Sequence, residues 1–220
     1  MAGDEEAPPA KVLIPVYADV DMLDVCGPHE LFSWAGFQVD LVAEEPGTVQ
    51  FNHGGFSFLV PDGLGPAQPY DALWVPGGNP DSLARIMRDP KRTYLDFLVR
   101  QAPRSRFVCS VCEGALLLAD AGLLDGYAAT THWAFVQYLL DTYPKVTVAD
   151  GHPRFVLDRD RLTGGGISSG LDEALRLIEL LAGTPAAQDV QQTTQYYPAP
   201  PVTSEIPNTS FPFPPPVKAA

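Results

Sequence analysis

Arg106-Phe107-Val108-Cys109-Ser110-Val111-Cys112-Glu113-Gly114-Ala115-Leu116-Leu117-Leu118-Ala119-Asp120-Ala121-Gly122 changes its hydrophobic period in mid-course. Arg106 to Val111 is a short apolar run, the pattern of a strand buried on both faces of a parallel sheet. Glu113 to Ala121 has helical spacing, and Gly122 stands at the usual C-cap position. Strand passes into helix at Cys112. A tight turn there, with Gly114 two residues on, is the arrangement of a nucleophile elbow, which projects one side chain over the end of the sheet.

The same alternation extends in both directions. Lys11 to Tyr17 reads as a buried strand, and Gly27-Pro28 opens a helix over His29 to Ala35 because proline suits a first helical turn. Phe37 to Ala43 is a second strand, and Phe56 to Val60 after Gly54-Gly55 belongs to an accessory hairpin. Ala72 to Val75 is a strand ending at Pro76-Gly77-Gly78, and Asp81 to Met87 and Arg92 to Ala102 carry helical spacing. Ala128 to Thr131 is a brief strand and Trp133 to Tyr143 a helix. Arg154 to Leu157 and Arg161 to Thr163 form a hairpin around Asp158. Gly164-Gly165-Gly166 then leads into a helix over Ser168 to Ala182, with Ser168 suited to cap it. Short apolar strands alternating with amphipathic helices predict a parallel α/β sandwich.

At 220 residues with 45% hydrophobic and 19% charged content, the chain suits one domain with its own core. Residues 1–10 read as a flexible acidic tail. Residues 198–220 hold 8 of the 23 prolines and read as an extended arm or a mobile tail. A net charge of −13 repels phosphate backbones and anionic lipid, which argues against nucleic acid and membrane partners. Three cysteines, no export signal and no apolar run near the roughly 20 residues of a bilayer span predict a cytoplasmic protein.

In open parallel sheets ligands bind beyond the carboxyl ends of the strands. Four turns there stand out: Asp24 before Gly27-Pro28, Gly77-Gly78, Cys112-Glu113-Gly114 and Gly164-Gly165-Gly166. A helix N-terminus beneath Cys112 favours thiolate over thiol, so Cys112 is a candidate nucleophile; the alternative is a buried thiol packing as a small hydrophobe. Cys109, inside the strand, reads as packing. The C-x-x-C spacing of the two lacks a second ligand pair, the histidines show no metal spacing, and no Lys-Ser/Thr follows the three glycines. No metal or nucleotide site is expected.

Ser110 to Leu116, Ala121-Gly122-Leu123-Leu124-Asp125-Gly126 and Ala129-Thr130-Thr131-His132-Trp133 together resemble the ThiJ/PfpI branch of the class I glutamine-amidotransferase-like superfamily. Leu23 to Pro28, Val75 to Gly78, Leu162 to Ile167 and Tyr197 to Pro201 fit the same pattern in the same order, and the likeness covers about residues 11 to 201. The resemblance implies one flavodoxin-like three-layer α/β domain over 11–197, with a mostly parallel sheet and a cysteine nucleophile elbow. Within the branch the likeness is nearest to the isonitrile hydratases. It implies Cys112 as nucleophile and Asp24 as acid/base, converting a small-molecule isonitrile and water to an N-substituted formamide without a cofactor. The backbone amides of Gly78 and Glu113 would hold substrate or water, and Trp133, Gly165, Gly166 and Ile167 would wall the substrate.

Glu113 departs from the small hydroxylated residue that those hydratases usually carry after the nucleophile. An ionised Glu113 close by would oppose thiolate formation and raise the pKa of Asp24. It also differs from the histidine of the branch's proteases and deglycase-like members. Another Cys-dependent reaction, of glyoxalase or deglycase type, and a ligand-sensing or stress-response role stay open. The regulators of the branch usually carry a helix-turn-helix extension, which this acidic sequence lacks. The family further implies a homodimer, the Pro-rich arm being suited to lie across a neighbour. Cys26, two residues after Asp24, is expected to approach Cys112 if both loops border one pocket.

Overall fold

Lys11–Val16 (β1) is buried along all but its first residue, as a strand covered on both faces must be. The computed structural model describes residues 8–207 and 209–213. After β1 come Met22–Trp34 (α1), Gln38–Ala43 (β2), the antiparallel pair Gly47–Gln50 (β3) and Ser57–Val60 (β4), and Asp62–Gly63 (β5). Tyr70–Val75 (β6) leads to Pro80–Arg88 (α2) and Thr93–Gln101 (α3). Ser105–Ser110 (β7) and Gly114–Asp120 (α4) bracket the elbow, followed by Ala128–Ala129 (β8), Val136–Thr142 (α5) and Thr147–Val148 (β9). Phe155–Asp158 (β10), Arg161–Gly164 (β11), Ser169–Ala182 (α6) and Thr184–Thr193 (α7) complete the order.

The main sheet has seven strands in the order β10-β11-β7-β6-β1-β2-β5. Only β10 runs antiparallel, paired to β11; the remaining neighbours are parallel. From β1 the chain steps to β2 on one side, whereas from β6 it steps to β7 on the other. Right-handed crossovers in opposite directions put their helices on opposite faces. Accordingly α1 packs with α6 and α7, and α2 with α3 and α4. The flavodoxin-like three-layer arrangement is therefore present, and its topological switch point lies between β1 and β6, where ligands of such sheets bind.

Helix α1 begins at Met22, not at Gly27-Pro28, and Pro28 lies inside it. Proline has no N–H to give the carbonyl four residues back, which here is Asp24. The Trp74 indole N–H takes that carbonyl instead, at 3.0 Å, and Trp74 is fully buried. Ser168 makes no cap bond to α6; its hydroxyl accepts from Arg154. The 133–143 segment opens as a 3₁₀ turn over Trp133–Phe135 before α5.

The tail at 1–7, residue 208 and residues 214–220 fall outside the described residues. The end of the described part of the arm packs on its own chain. Phe211 N–H donates to the Ala134 carbonyl, and the rings of Phe211 and Phe213 pack on Trp133, Phe135 and Tyr138. No helix among the described residues is long and apolar enough to cross a membrane.

Candidate active site

Three loops converge at the switch point. The loop after β1 is stitched to the loop after β6: Asp21 N–H donates to Gly77 O at 3.0 Å and Asn79 N–H to Asp19 O at 2.9 Å. The turn after β7 closes over both. Cys112 has φ +57°, a left-handed conformation that costs a non-glycine residue about 1–3 kcal/mol unless its surroundings impose it. They do so here. Cys112 N–H donates to Gly165 O at 2.9 Å, and its carbonyl accepts the Thr131 hydroxyl at 2.8 Å. Gly114 N–H closes the turn onto Val111 O, whose own N–H donates to Val75 O. A side chain at position 114 would collide with the Val75 carbonyl, so only glycine fits.

Asp24 sits in the first turn of α1 and is fully buried. Its Oδ2 accepts Gly77 N–H at 2.9 Å, while Oδ1 has no partner. Burial, then the charges of Asp21 and Glu113, push its pKa well up, and the Gly77 amide pulls it back only in part. Burial and the neighbouring charges thus favour the protonated form of Asp24, the form able to donate a proton.

Cys112 is fully buried. The structure overturns the expectation of a lowered thiol pKa. Burial comes first, followed by the negative charges of Glu113 and Asp24, and together they push the thiol well above its ordinary value. Helix α4 spans only seven residues and cannot offset two carboxyls and the loss of solvent. A group that removes the thiol proton is needed before attack.

Glu113 is almost wholly buried, and burial raises its pKa to about 7; the Cys112 thiol and the amides of Glu113 and Gly78 act in the opposite sense. The two amides expected to hold substrate or water therefore face this carboxyl. No donor closes on Oε2 to hydrogen-bonding geometry. Gly77 makes room for the pair: a Cβ there would lie 2.7 Å from Glu113 Oε2 and 2.8 Å from Cys112 Cβ.

Beside the elbow lies a cavity of about 300 Å³ whose walls include Trp133, Gly165, Gly166 and Ile167, at the small end of ligand sites. All four residues expected to wall a substrate are thus brought together. Neither Cys112 nor Asp24 lines it; two of its lining residues, Thr131 and Gly165, hold the Cys112 backbone. Sequence reasoning passed over His132, Arg154 and Ile206, which share the walls. His132 stands next to Trp133 in the quoted motif and was within reach. Arg154 and Ile206 come from the hairpin and the arm, which no local pattern links to the elbow. His132 Nδ1 accepts Ala134 N–H at 3.2 Å, which assigns the neutral ring's proton to Nε2. Burial lowers this ring's pKa.

Asp21, Asp24 and Cys112 present ligating atoms that lie within 4.8 Å of one another. Cys26 is exposed while Asp24 is buried. Once α1 starts at Met22, these two residues lie on different faces of a helix, so the expected approach of Cys26 to Cys112 fails.

The chain is 39% identical over 196 residues to the isonitrile hydratase of Pseudomonas putida, covering 89% of this chain and 82% of that one. It is 31% identical over 150 residues to the HTH-type transcriptional regulator GbdR of Pseudomonas aeruginosa, covering 68% of this chain but 37% of the regulator. Among solved structures, a ThiJ/PfpI family protein from Pseudomonas syringae superposes with a TM-score of 0.79 at 29% identity, covering 89% of this chain and 78% of the other. Drosophila melanogaster DJ-1beta, at 18% identity and a TM-score of 0.75 over 86% of this chain and 98% of that one, shares the fold. The model of the DJ-1/PfpI family matches residues 10–180, and with the elbow and the switch-point loops in place the chain belongs to that family.

Proposed function

We propose that this protein is an isonitrile hydratase, adding water to an isonitrile to give an N-substituted formamide through a thioimidate on Cys112. The observation that carries the proposal is the pairing of Cys112, held at φ +57°, with a buried Asp24 carboxyl whose Oδ1 is free of partners. An isonitrile carbon must gain both a nucleophile and a proton. Sulfur supplies the first and the Asp24 carboxyl the second. Identity to the Pseudomonas putida enzyme over most of both chains supports the same reaction.

The compact cavity walled by Trp133 and Ile167 favours a small apolar substituent. The test is incubation of purified protein with alkyl, cycloalkyl and aryl isonitriles, with the formamide followed by mass spectrometry in labelled water. Formamide carrying the label supports the proposal; unchanged isonitrile with turnover of glyoxals instead rejects it. The similarity to GbdR supports a second reading, a ligand-sensing domain. Tight binding of isonitrile without turnover would favour it. The family resemblance further suggests a homodimer acting in the cytoplasm, and a light-scattering mass of one chain at micromolar concentration would refute the dimer.

A further inference from the structure

The turn that presents Cys112 also presents a second acid. Glu113 Oε2 is buried without a hydrogen-bond partner, a costly arrangement where nothing offsets it. The Gly77 backbone leaves room on one side for both this oxygen, 2.7 Å from the position of an added Cβ, and Cys112 Cβ, 2.8 Å from the same point. The titratable groups facing Glu113 are Cys112 on the turn, Asp24 from α1, and Tyr17 and Asp21 from the loop after β1. Tyr17 is committed elsewhere, its hydroxyl donating to Pro76 O at 3.0 Å. Asp24 holds Gly77 N–H through Oδ2, and in the steps below its own proton goes to the substrate carbon. Among these, the thiol is the proton source nearest the Glu113 carboxyl in the chain.

We propose that Glu113 accepts the Cys112 proton. The substrate named below rests on the isonitrile hydratase reading; the proton transfer does not. In the first half-reaction the thiol proton passes to the Glu113 carboxylate, sulfur bonds the isonitrile carbon, and Asp24 gives that carbon its proton. The product is a thioimidate, with Asp24 ionised and Glu113 neutral. Water then adds to the carbon and returns a proton to Asp24, while Glu113 protonates the nitrogen. Finally the C–S bond breaks, the hydroxyl proton returns to sulfur, and the formamide leaves with all three groups restored. One water is consumed and no oxidant or reductant is needed.

A consequence concerns specificity. Acyl transfer and aldehyde chemistry build an oxyanion beside the attacking sulfur and need free donors there. In this site a buried carboxyl stands on the same turn as the sulfur, with Oε2 unpartnered, and opposes a second negative charge there. The thioimidate carbon carries no oxygen until water adds, so an isonitrile does not require those donors in its first step. Glu113 thereby selects against substrates that form an oxyanion on attack.

Two readouts test this with Glu113→Gln. The first is the rate of Cys112 alkylation by iodoacetamide against pH, followed at the Cys112 peptide by mass. The parent should show an ionisation near 7, the value burial gives Glu113, and the variant should lack it. The second is isonitrile turnover, which should fall roughly 10²-fold, the effect of a positioned acid/base. If Glu113 acted only through its charge, the variant would alkylate faster at every pH and turn over no more slowly, which overturns the proposal. An ionisation near 7 that survives in the variant overturns it as well. A parent that does not hydrate isonitriles, but shows the ionisation and loses it on substitution, rejects the substrate and upholds the proton transfer. Should glutamine prevent folding, Glu113→Thr is read in the same two ways.

Discussion

Cys109 and Cys112 are three residues apart, equally and wholly buried, and burial pushes both thiols upward. They differ in everything else. Cys109 lies inside β7, in register with Trp74 on one side and Leu162 on the other, and its nearby charges are Glu173 and Arg161, of opposite sign. Cys112 leaves the strand in a left-handed turn, with Asp24 and Glu113 beside it and a cavity lined in part by the residues that hold its backbone. Burial and a raised pKa do not separate a packing thiol from a reactive one. The backbone conformation and the carboxyls able to exchange its proton do.

The comparison breaks most severely at Gly114. Gly114→Ala puts a methyl group against the Val75 carbonyl and should cost about 3 kcal/mol, the upper end for overpacking. Urea unfolding would measure it; a variant as stable as the parent would show that the turn has slack. Next in size is the pH dependence that Glu113 brings. Its folded pKa, about 7, lies above the ordinary 4.5. Its contribution to stability is complete below pH 4.5, declines as the pH rises and is lost beyond about 7. Unfolding free energies between pH 4 and 8 should fall less steeply in Glu113→Gln, by up to about 3 kcal/mol. Parallel curves would mean the carboxyl is not buried as described. Asp24→Asn should lower isonitrile turnover roughly 10²-fold with the fold intact by circular dichroism, and undiminished turnover would remove Asp24 from the chemistry. The smallest effect belongs to Cys109→Ala. It should lose about 1 kcal/mol of stability and keep the parent's turnover, and a loss of turnover without a loss of stability would erase the distinction between the two thiols.

The sheet and the elbow were legible because they rest on local signals. Apolar runs four to seven residues long mark β1, β6 and β7, and the Cys-x-Gly turn is a steric requirement visible wherever it occurs. The start of α1 was missed for a different reason. Pro28 looks like a first-turn residue, and the Trp74 indole that satisfies the carbonyl it frees comes from 50 residues further on. The direction of the Cys112 pKa was only half legible: Glu113 next in sequence signals an opposing charge, but the sequence does not show that the thiol is wholly buried or that Asp24 faces it from another element. The substrate walls Trp133, Gly165, Gly166 and Ile167 were within reach through motif resemblance. Arg154 and Ile206 were not, because only tertiary folding carries the hairpin and the arm to the same cavity.

The central claim is that Cys112 forms a covalent thioimidate with an isonitrile while Cys109 does not. Intact mass spectrometry of protein quenched in acid within the first turnover, followed by peptide mapping, tests it directly. The predicted result is a mass increase equal to one substrate molecule, located on the Cys112 peptide, lost on longer incubation as formamide appears, and absent from Cys112→Ala. A folded Cys112→Ala protein that still produces formamide at the parent rate, or an adduct located on Cys109, would contradict it.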